Sequence, residues 1–346
     1  MSPEQQQGSP SAEGALGPGQ RGASLERVLS FTLEKELPQD VIAFKFGGSS
    51  LFGAERLLHA AALVRDTAQT SPVVVVVSAM KGVTDCLLHL AHLLSEGRNG
   101  AARTEAESIV ELHSATLADL NLDRADHEPV ARELELLSRD LLHEVPTRGR
   151  AVADGPFFDR LSSFGERFAA RLFAAALLAH GVDAVPVSAS DFVLTCDTFR
   201  NAQPHLEATR LRGRQVLLPL LQAGIVPAVT GFIGATRDGR ITTLGRNSSD
   251  FSGALIAHVV DAEELVIWTD VDGVYTENPR ESAEAKLLHE LSYDEAHALA
   301  ASGAKVLHPR VLPLAAQTGM TVWIRNTFKP DARGTRIGSQ LNGGAA

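Results

Sequence analysis

The sequence predicts an α/β fold: a mostly parallel central sheet with helices packed on both faces. Three observations predict it. The runs Val41 to Phe46 and Val73 to Ser78 are short, continuous and apolar, as strands buried on both faces are. Each ends in a loop that carries glycine and then gives way to helical spacing, and a strand–loop–helix unit that recurs argues for a doubly wound sheet. Two later apolar runs, Ile225 to Thr230 and Glu264 to Thr269, are again separated by helical stretches.

The totals agree with an ordinary globular protein. Of 346 residues, 44% are hydrophobic and 21% charged. A net charge of −10 and the lack of a basic stripe argue against a nucleic-acid partner. Two widely spaced cysteines, Cys86 and Cys196, suit a reducing compartment and suggest neither disulfide nor zinc. No apolar run approaches the ~20 residues of a membrane span, and no signal peptide is evident, so the expected location is the cytoplasm, away from membranes.

In chain order, residues 1–39 are rich in Gln, Gly, Pro, Ser and Glu and are expected to be a disordered tail, with a short amphipathic helix over Leu25 to Leu37. Next comes VIAFKFGGSS, Val41 to Ser50. A strand that stops at a double glycine and opens a helix gathers backbone N–H groups at one point, and Lys45 adds a cation. This describes a phosphate cradle, although an ordinary strand–turn–helix would look the same. Phe52 to Thr67 reads as a helix, and SAMKGVTD, Ser78 to Asp85, as a loop at a carboxyl strand end, where such sheets bind ligands. Asp85 to Leu142 reads as helical throughout, with His89, His92 and His113 facing solvent or helix edges. Phe157 to Gly181 reads as one long amphipathic helix ending at a glycine cap. Gly165 inside it costs about 1 kcal/mol against alanine, tolerable where something approaches the backbone closely. Glu166 beside it suits an ammonium group or a surface pair with Arg167.

Ala184 to Val187 is a short strand, and Ala202 to Ala223 is mostly helix. Asp238-Gly239 signals a hairpin returning through Ile241 to Leu244. The turn Gly245 to Asp250 opens a helix over Phe251 to Val260, and Arg246 on it is a fork donor for carboxylate or phosphate. Past the strand 264–269, Asp270 and Asp272 suit a metal, a nucleotide or a plain Asp-Gly turn. Ser292 is a plausible cap for a helix to Ala301, Lys305 follows a glycine, and Thr321 to Arg325 is the last strand read here.

Five of these segments resemble, in order, the motifs of the aspartate kinases: KFGGSS at 45–50, SFGER at 163–167, TLGRNSSD at 243–250, WTDVDGVYT at 268–276 and GAKVLHPR at 303–310. The resemblance covers Val41 to Gly338. It implies the amino-acid-kinase fold, an αβα sandwich forming a catalytic domain over 40–338, with the aspartate site in a lobe of about 40–235 and the ATP site in one of about 236–338. Residues 339–346 would be a tail. It also implies phosphoryl transfer from ATP, with Mg²⁺ carried mainly on its phosphates, to the β-carboxylate of L-aspartate. Lys45 would meet the transferring phosphate, with Gly47, Gly48 and Ser49 around it, and Asp250 would orient Lys45. Thr84, Glu166, Arg246 and Ser249 would bind aspartate, Glu166 at the α-ammonium and Arg246 at the α-carboxylate. Thr269, Asp270, Tyr275, Arg280, Lys305 and Val306 would hold ATP, and no metal ligand is expected from the protein.

The physical requirements agree. Transfer between two anions needs alignment and charge neutralisation. A carboxylate is already ionised at neutral pH and needs no general base.

The sequence departs from the family pattern at Asn247 and Ser248, which replace two glycines, and at Asn278, which replaces an aspartate. A serine at position 248 would be strained if that position needs a positive φ. The chain also ends where two regulatory (ACT) modules usually follow. The expectation is therefore no feedback inhibition by lysine or threonine, tested by assaying activity against both, with a homodimer only through the kinase domain. Rival readings are a glutamate or acetylglutamate kinase of the same fold, or a silent ATP- or aspartate-binding subunit.

Overall fold

The computed structural model describes residues 39–146, 154–246, 248–277, 282, 284–301 and 307–339. The expected tail, the 25–37 helix, Asn247, Asn278, Arg280, Lys305 and Val306 lie outside them.

Strand β1 (Ile42–Phe46) leads through a single 3-10 turn, Gly48–Ser50, to helix α1 (Ala54–Ala68) and strand β2 (Val73–Val77). Three helices follow: α2 (Val83–Ser95), α3 (Asn99–Asp119) and α4 (Arg124–His143). The helical stretch expected from Asp85 to Leu142 is thus cut twice. Arg98 to Asn99 reverses the chain after Gly97 (φ +76), and the second break ends at Asp123, whose carboxylate accepts from the Asp126 N–H as an N-cap.

Helices α5 (Gly155–Ser162) and α6 (Phe164–Ala179) replace the single helix expected over 157–181. At their junction, Ser162 Oγ donates to the Phe158 carbonyl and Ser163 Oγ to the Arg160 carbonyl. Such hydroxyl back-bonds compete with the helical ladder and bend it. The expected glycine stop is present: Gly181 has φ +74, and Val182 N–H donates to the Leu177 carbonyl.

The chain continues through β3 (Ala184–Val187), α7 (Leu206–Gln222), β4 (Val226–Thr230), the hairpin β5 (Ile233–Ala235) and β6 (Ile241–Thr243), α8 (Ser249–Val259) and β7 (Glu264–Thr269). A small hairpin, β8 (Val274–Tyr275) and β9 (Leu287–Leu288), precedes β10 (Glu290–Ser292), α9 (Tyr293–Ala301), α10 (Val311–Thr318), β11 (Thr321–Asn326) and β12 (Thr335–Gly338). Ser292 caps α9 reciprocally. Its Oγ accepts from Glu295 N–H while the Glu295 carboxylate accepts from Ser292 N–H.

Among the described residues, eight strands form one sheet in the order β10-β12-β11-β7-β1-β2-β4-β3. β11, β7, β1, β2, β4 and β3 are mutually parallel, and β12 and β10 run the other way. One face of the sheet, with Phe44, Phe46, Val75, Val77 and Trp268, packs on α1 through α6. The other, with Ala43, Val74, Val76, Leu265 and Ile267, packs on α7 through α10. The result is the expected αβα sandwich. Because β1 lies mid-sheet, with β2 on one side and β7 on the other, the carboxyl ends of these three strands border a topological switch point. No helix among the described residues is long and apolar enough to cross a membrane.

Candidate active site

Lys45 is the fourth residue of β1, and its side chain turns to the α8 face. There Nζ meets Asp250 Oδ1 at 2.7 Å. Lys45 is only 5% exposed, so this partner is needed: a buried ammonium without one is strongly disfavoured. Gly253, one turn beyond Asp250, makes room for the lysine stem. A Cβ there would stand 3.1 Å from Lys45 Cβ.

The two glycines after the strand do different jobs. Gly47 is extended (φ −76, ψ 160) and its N–H donates to the Trp268 carbonyl at 3.2 Å. Its amide is engaged in tying β1 to β7, contrary to the expectation that it offers itself to a phosphate. Gly48 is where the loops cross. A Cβ there would lie 2.5 Å from the Ala79 carbonyl oxygen, and its own carbonyl accepts from Lys81 N–H at 3.1 Å. The first N–H groups of a helical turn lack partners within it, so the amides of Gly48 and Ser49 are the ones suited to an anion.

Glu166 stands in the first turn of α6 and is 3% exposed. It makes no surface pair with Arg167, which instead lies over the Phe164 ring and beside Asp140. Glu166 Oε1 accepts from Ala79 N–H at 3.2 Å, while Oε2 is buried with no hydrogen-bond partner among the described residues. Burial pushes its carboxyl up to about 8. Gly165 explains the approach: a Cβ there would be 2.7 Å from Ala79 Cβ and 3.4 Å from Val83 Cγ1. The close contact that the glycine admits is therefore the β2–α2 loop. Thr84 is the second residue of α2, half-buried, beside that contact.

Arg246 is exposed and lies four residues before Asp250, the partner of Lys45. Ser249 begins α8. A Cβ on Gly231, whose N–H donates to the Val77 carbonyl, would be 3.6 Å from Ser249 Cβ. Ser248 has φ −81, so no positive φ is required and no strain arises. The positive φ falls on Gly245, at +100. Ser248 is fully buried, makes no side-chain cap bond, and its Oγ has no partner among the described residues.

Thr269 ends β7 and its carbonyl accepts from Thr327 N–H. Asp270 is exposed, with Thr269 Oγ1 donating to it at 3.4 Å, and Tyr275 is half-buried on β8. Asp272 is a clasp, accepting from Asn326 Nδ2 at 2.5 Å and Lys329 Nζ at 2.8 Å. Among the described residues no three His, Cys, Asp or Glu converge as a metal site.

Of the helical histidines, His89 and His92 are exposed as expected, and His113 departs. His113 is 1% exposed, stacks on Phe168 at 4.4 Å and bonds the Ile109 carbonyl through Nδ1. His89 does meet a carboxylate, Glu105 of α3, at 2.7 Å.

Sequence reasoning missed three contributors. Ala79 offers a backbone N–H, which no side-chain pattern reveals. Arg310 lies over Phe251 at 4.2 Å and donates to Gln203 and the Leu244 carbonyl, bracing the turn before α8. Asp159 is a buried carboxylate on the apolar helix α5, before the break at Ser163.

Comparison with known proteins follows the same lines. The model of the amino acid kinase family matches residues 40–326. Lysine-sensitive aspartokinase 3 of Escherichia coli is 33% identical over 299 residues, covering 86% of this chain and 64% of that protein. Aspartokinase 1, chloroplastic, of Arabidopsis thaliana is 36% identical over 299 residues, covering 85% and 51%. The chain thus spans about half to two-thirds of the length of these relatives. The structure of E. coli aspartokinase III in complex with aspartate and ADP superimposes with a TM-score of 0.76 at 32% identity, covering 87% of this chain and 65% of that one.

Proposed function

The chain belongs to the amino acid kinase family, and within it we propose an aspartate kinase that moves the γ-phosphoryl group of ATP to the β-carboxylate of L-aspartate. The aspartokinase relatives and the neighbour bound to aspartate and ADP support this reading. The observation that carries it is Glu166: a buried carboxylate with one oxygen unpartnered suits a substrate that brings its own cation. A free α-amino acid does so, and an N-acetylated one does not.

Glu166 receives the α-ammonium, with Thr84 at its side, and Arg246 forks onto the α-carboxylate beside Ser249. That leaves the β-carboxylate facing Lys45. One of its oxygens attacks the γ-phosphorus, the bond from that phosphorus to the β,γ-bridging oxygen breaks, and ADP leaves with the electron pair. No proton changes hands. Lys45, held by Asp250, neutralises charge on the transferring group, together with the amides of Gly48 and Ser49. Mg²⁺ bound through the ATP phosphates would supply further neutralisation. Thr269, Asp270 and Tyr275 border the nucleotide, with Arg280, Lys305 and Val306 proposed on the same side.

An ADP-release assay with aspartate, glutamate and N-acetylglutamate in turn is the test. Turnover with aspartate alone is expected. Turnover with glutamate and none with aspartate would overturn the reading, and no turnover with any of the three would favour a silent binding subunit.

A further inference from the structure

Asp159, on α5, is 1% exposed and takes no part in the chemistry proposed above. Its Oδ2 accepts from Arg200 N–H at 2.8 Å and from Thr243 N–H at 2.9 Å, and its Oδ1 accepts from Thr243 Oγ1 at 2.8 Å. Thr243 is the last residue of β6, and the turn Leu244–Gly245–Arg246 leaves directly from it. Arg200 holds φ +67, and its neighbour Asn201 fills the space under Gly245: a Cβ there would meet Asn201 Oδ1 at 2.8 Å. Ala202 N–H donates to the Thr243 carbonyl at 2.9 Å. One carboxylate therefore joins α5, the 200–202 loop and the strand that delivers Arg246. In the other direction α5 runs through Ser163 into α6, whose first turn carries Glu166.

We infer that Asp159 is a positioning residue that fixes the span between Glu166 and Arg246, and so the affinity of the site for an α-amino acid. The inference rests on reading those two side chains as the ends of the amino-acid site. An α-ammonium and an α-carboxylate hang from one carbon, so their separation is set by the substrate. The two receptors must match it to within about 0.5 Å. The connection from Glu166 to Arg246 along the chain is 80 residues long and cannot enforce that match. The route through Asp159 is seven residues from Glu166 to Asp159, the hydrogen bonds to Thr243, and three residues on to Arg246.

The geometry also says what may replace Asp159. The two N–H groups need an acceptor at Oδ2, whereas Thr243 Oγ1 can turn from donating to accepting. Asparagine with its oxygen at Oδ2 and its NH₂ toward Thr243 keeps all three contacts. Leucine keeps the bulk and none of them.

The experiment measures KM for aspartate and for ATP separately in Asp159→Leu, Asp159→Asn, Thr243→Val and Arg246→Ala, and in the double variant Asp159→Leu/Arg246→Ala. Thermal unfolding reports which variants are folded. Asp159→Leu should raise the aspartate KM about tenfold or more with little change in the ATP KM, since small misplacements carry large penalties. Asp159→Asn should recover most of that loss. Thr243→Val removes one donor and should raise the aspartate KM by roughly threefold, the worth of a single hydrogen bond. It keeps the test decisive if the leucine variant does not fold. The double variant should be little worse than Arg246→Ala alone.

A parallel rise of both KM values in Asp159→Leu would overturn the inference. So would multiplicative effects in the double variant, or an unchanged aspartate KM in Thr243→Val. The two layers separate cleanly. If Arg246→Ala raises the aspartate KM and Asp159→Leu does not, only the positioning role fails. If Arg246→Ala has no effect, the underlying site reading fails and takes this inference with it.

Discussion

Replacing Glu166 by glutamine should make the substrate-free protein more stable while removing its affinity for aspartate. The carboxyl is pushed up to about 8 by burial, which outweighs the lowering effect of the N–H groups of Ala79 and of Glu166 itself. A raised pKa in the folded state means that the fold prefers the neutral acid. The associated stability is fully present below the ordinary value of 4.5 and is lost as pH rises through about 8. At about 1.4 kcal/mol per unit, holding this group costs the empty protein roughly 3 kcal/mol at pH 7 and somewhat more above pH 8. Glutamine keeps an acceptor for Ala79 N–H and cannot ionise. Urea unfolding of both proteins without substrates, from pH 5 to 8.5, should show curves that converge at low pH and diverge by about that amount at high pH.

The substrate arm uses the same linkage. A cation against Oε2 favours the ionised acid, so aspartate should expel the proton on binding. With a value near 8, roughly nine molecules in ten carry that proton at pH 7, and calorimetry in two buffers of different ionisation enthalpy should register about 0.9 proton released per aspartate. Aspartate affinity should climb with pH up to about 8 and then level off. Parallel stability curves for the two proteins, together with no proton release, would refute the reasoning. Glu166 would then be ionised in the empty protein.

Further outcomes follow from single contacts. Lys45→Ala should leave the circular dichroism spectrum unchanged and lower kcat by about 10²- to 10⁴-fold, as losses of charge-stabilising groups do. A variant within threefold of the parent would remove Lys45 from the chemistry. Gly48→Ala places a methyl 2.5 Å from a backbone oxygen. It should cost about 1–3 kcal/mol in urea unfolding and impair turnover, because the β1 and β2 loops must part. His113, held at about 4 by burial, is neutral in the folded protein and charged in the unfolded chain below pH 6.5. Its stability contribution is present above pH 6.5 and lost as pH falls through 4, a change of about 3 kcal/mol that His113→Leu should flatten in acid unfolding curves.

What the sequence made legible was local. Ala184–Val187 and Glu264–Thr269 read at their exact bounds because each is an apolar run closed by a polar or glycine turn. Lys45 and Asp250 were both singled out as residue types, and the fold brings them into contact. Illegible features depend on partners far along the chain. His113 is buried because Phe168, 55 residues later, stacks on it, and nothing in its own helix announces that. Gly253 is explained by the lysine stem that passes under it, and Ser248 by a turn that puts its positive φ three residues earlier. The break at Ser163 escaped because serine is tolerated in helices, and only its back-bonds reveal the bend.

The two halves of the proposed site come from opposite faces of the sheet, which explains why its parallel strands matter. Lys45 points to the α8 face, where Asp250 holds it, whereas Glu166 rises from α6 on the other face and reaches the backbone just past β2. Neither could meet the other through a close-packed sheet. The proposed shared substrate would bridge them at the common edge where β1, β2, β4 and β7, running in one direction, all end. There the Gly48 and Gly231 contacts let the loops cross without side chains between them. The edge is thus where a cation from one layer and a carboxylate from the other would act on a single small anion. Asp159 adds the remaining constraint, because it ties the layer carrying Glu166 to the strand that delivers Arg246.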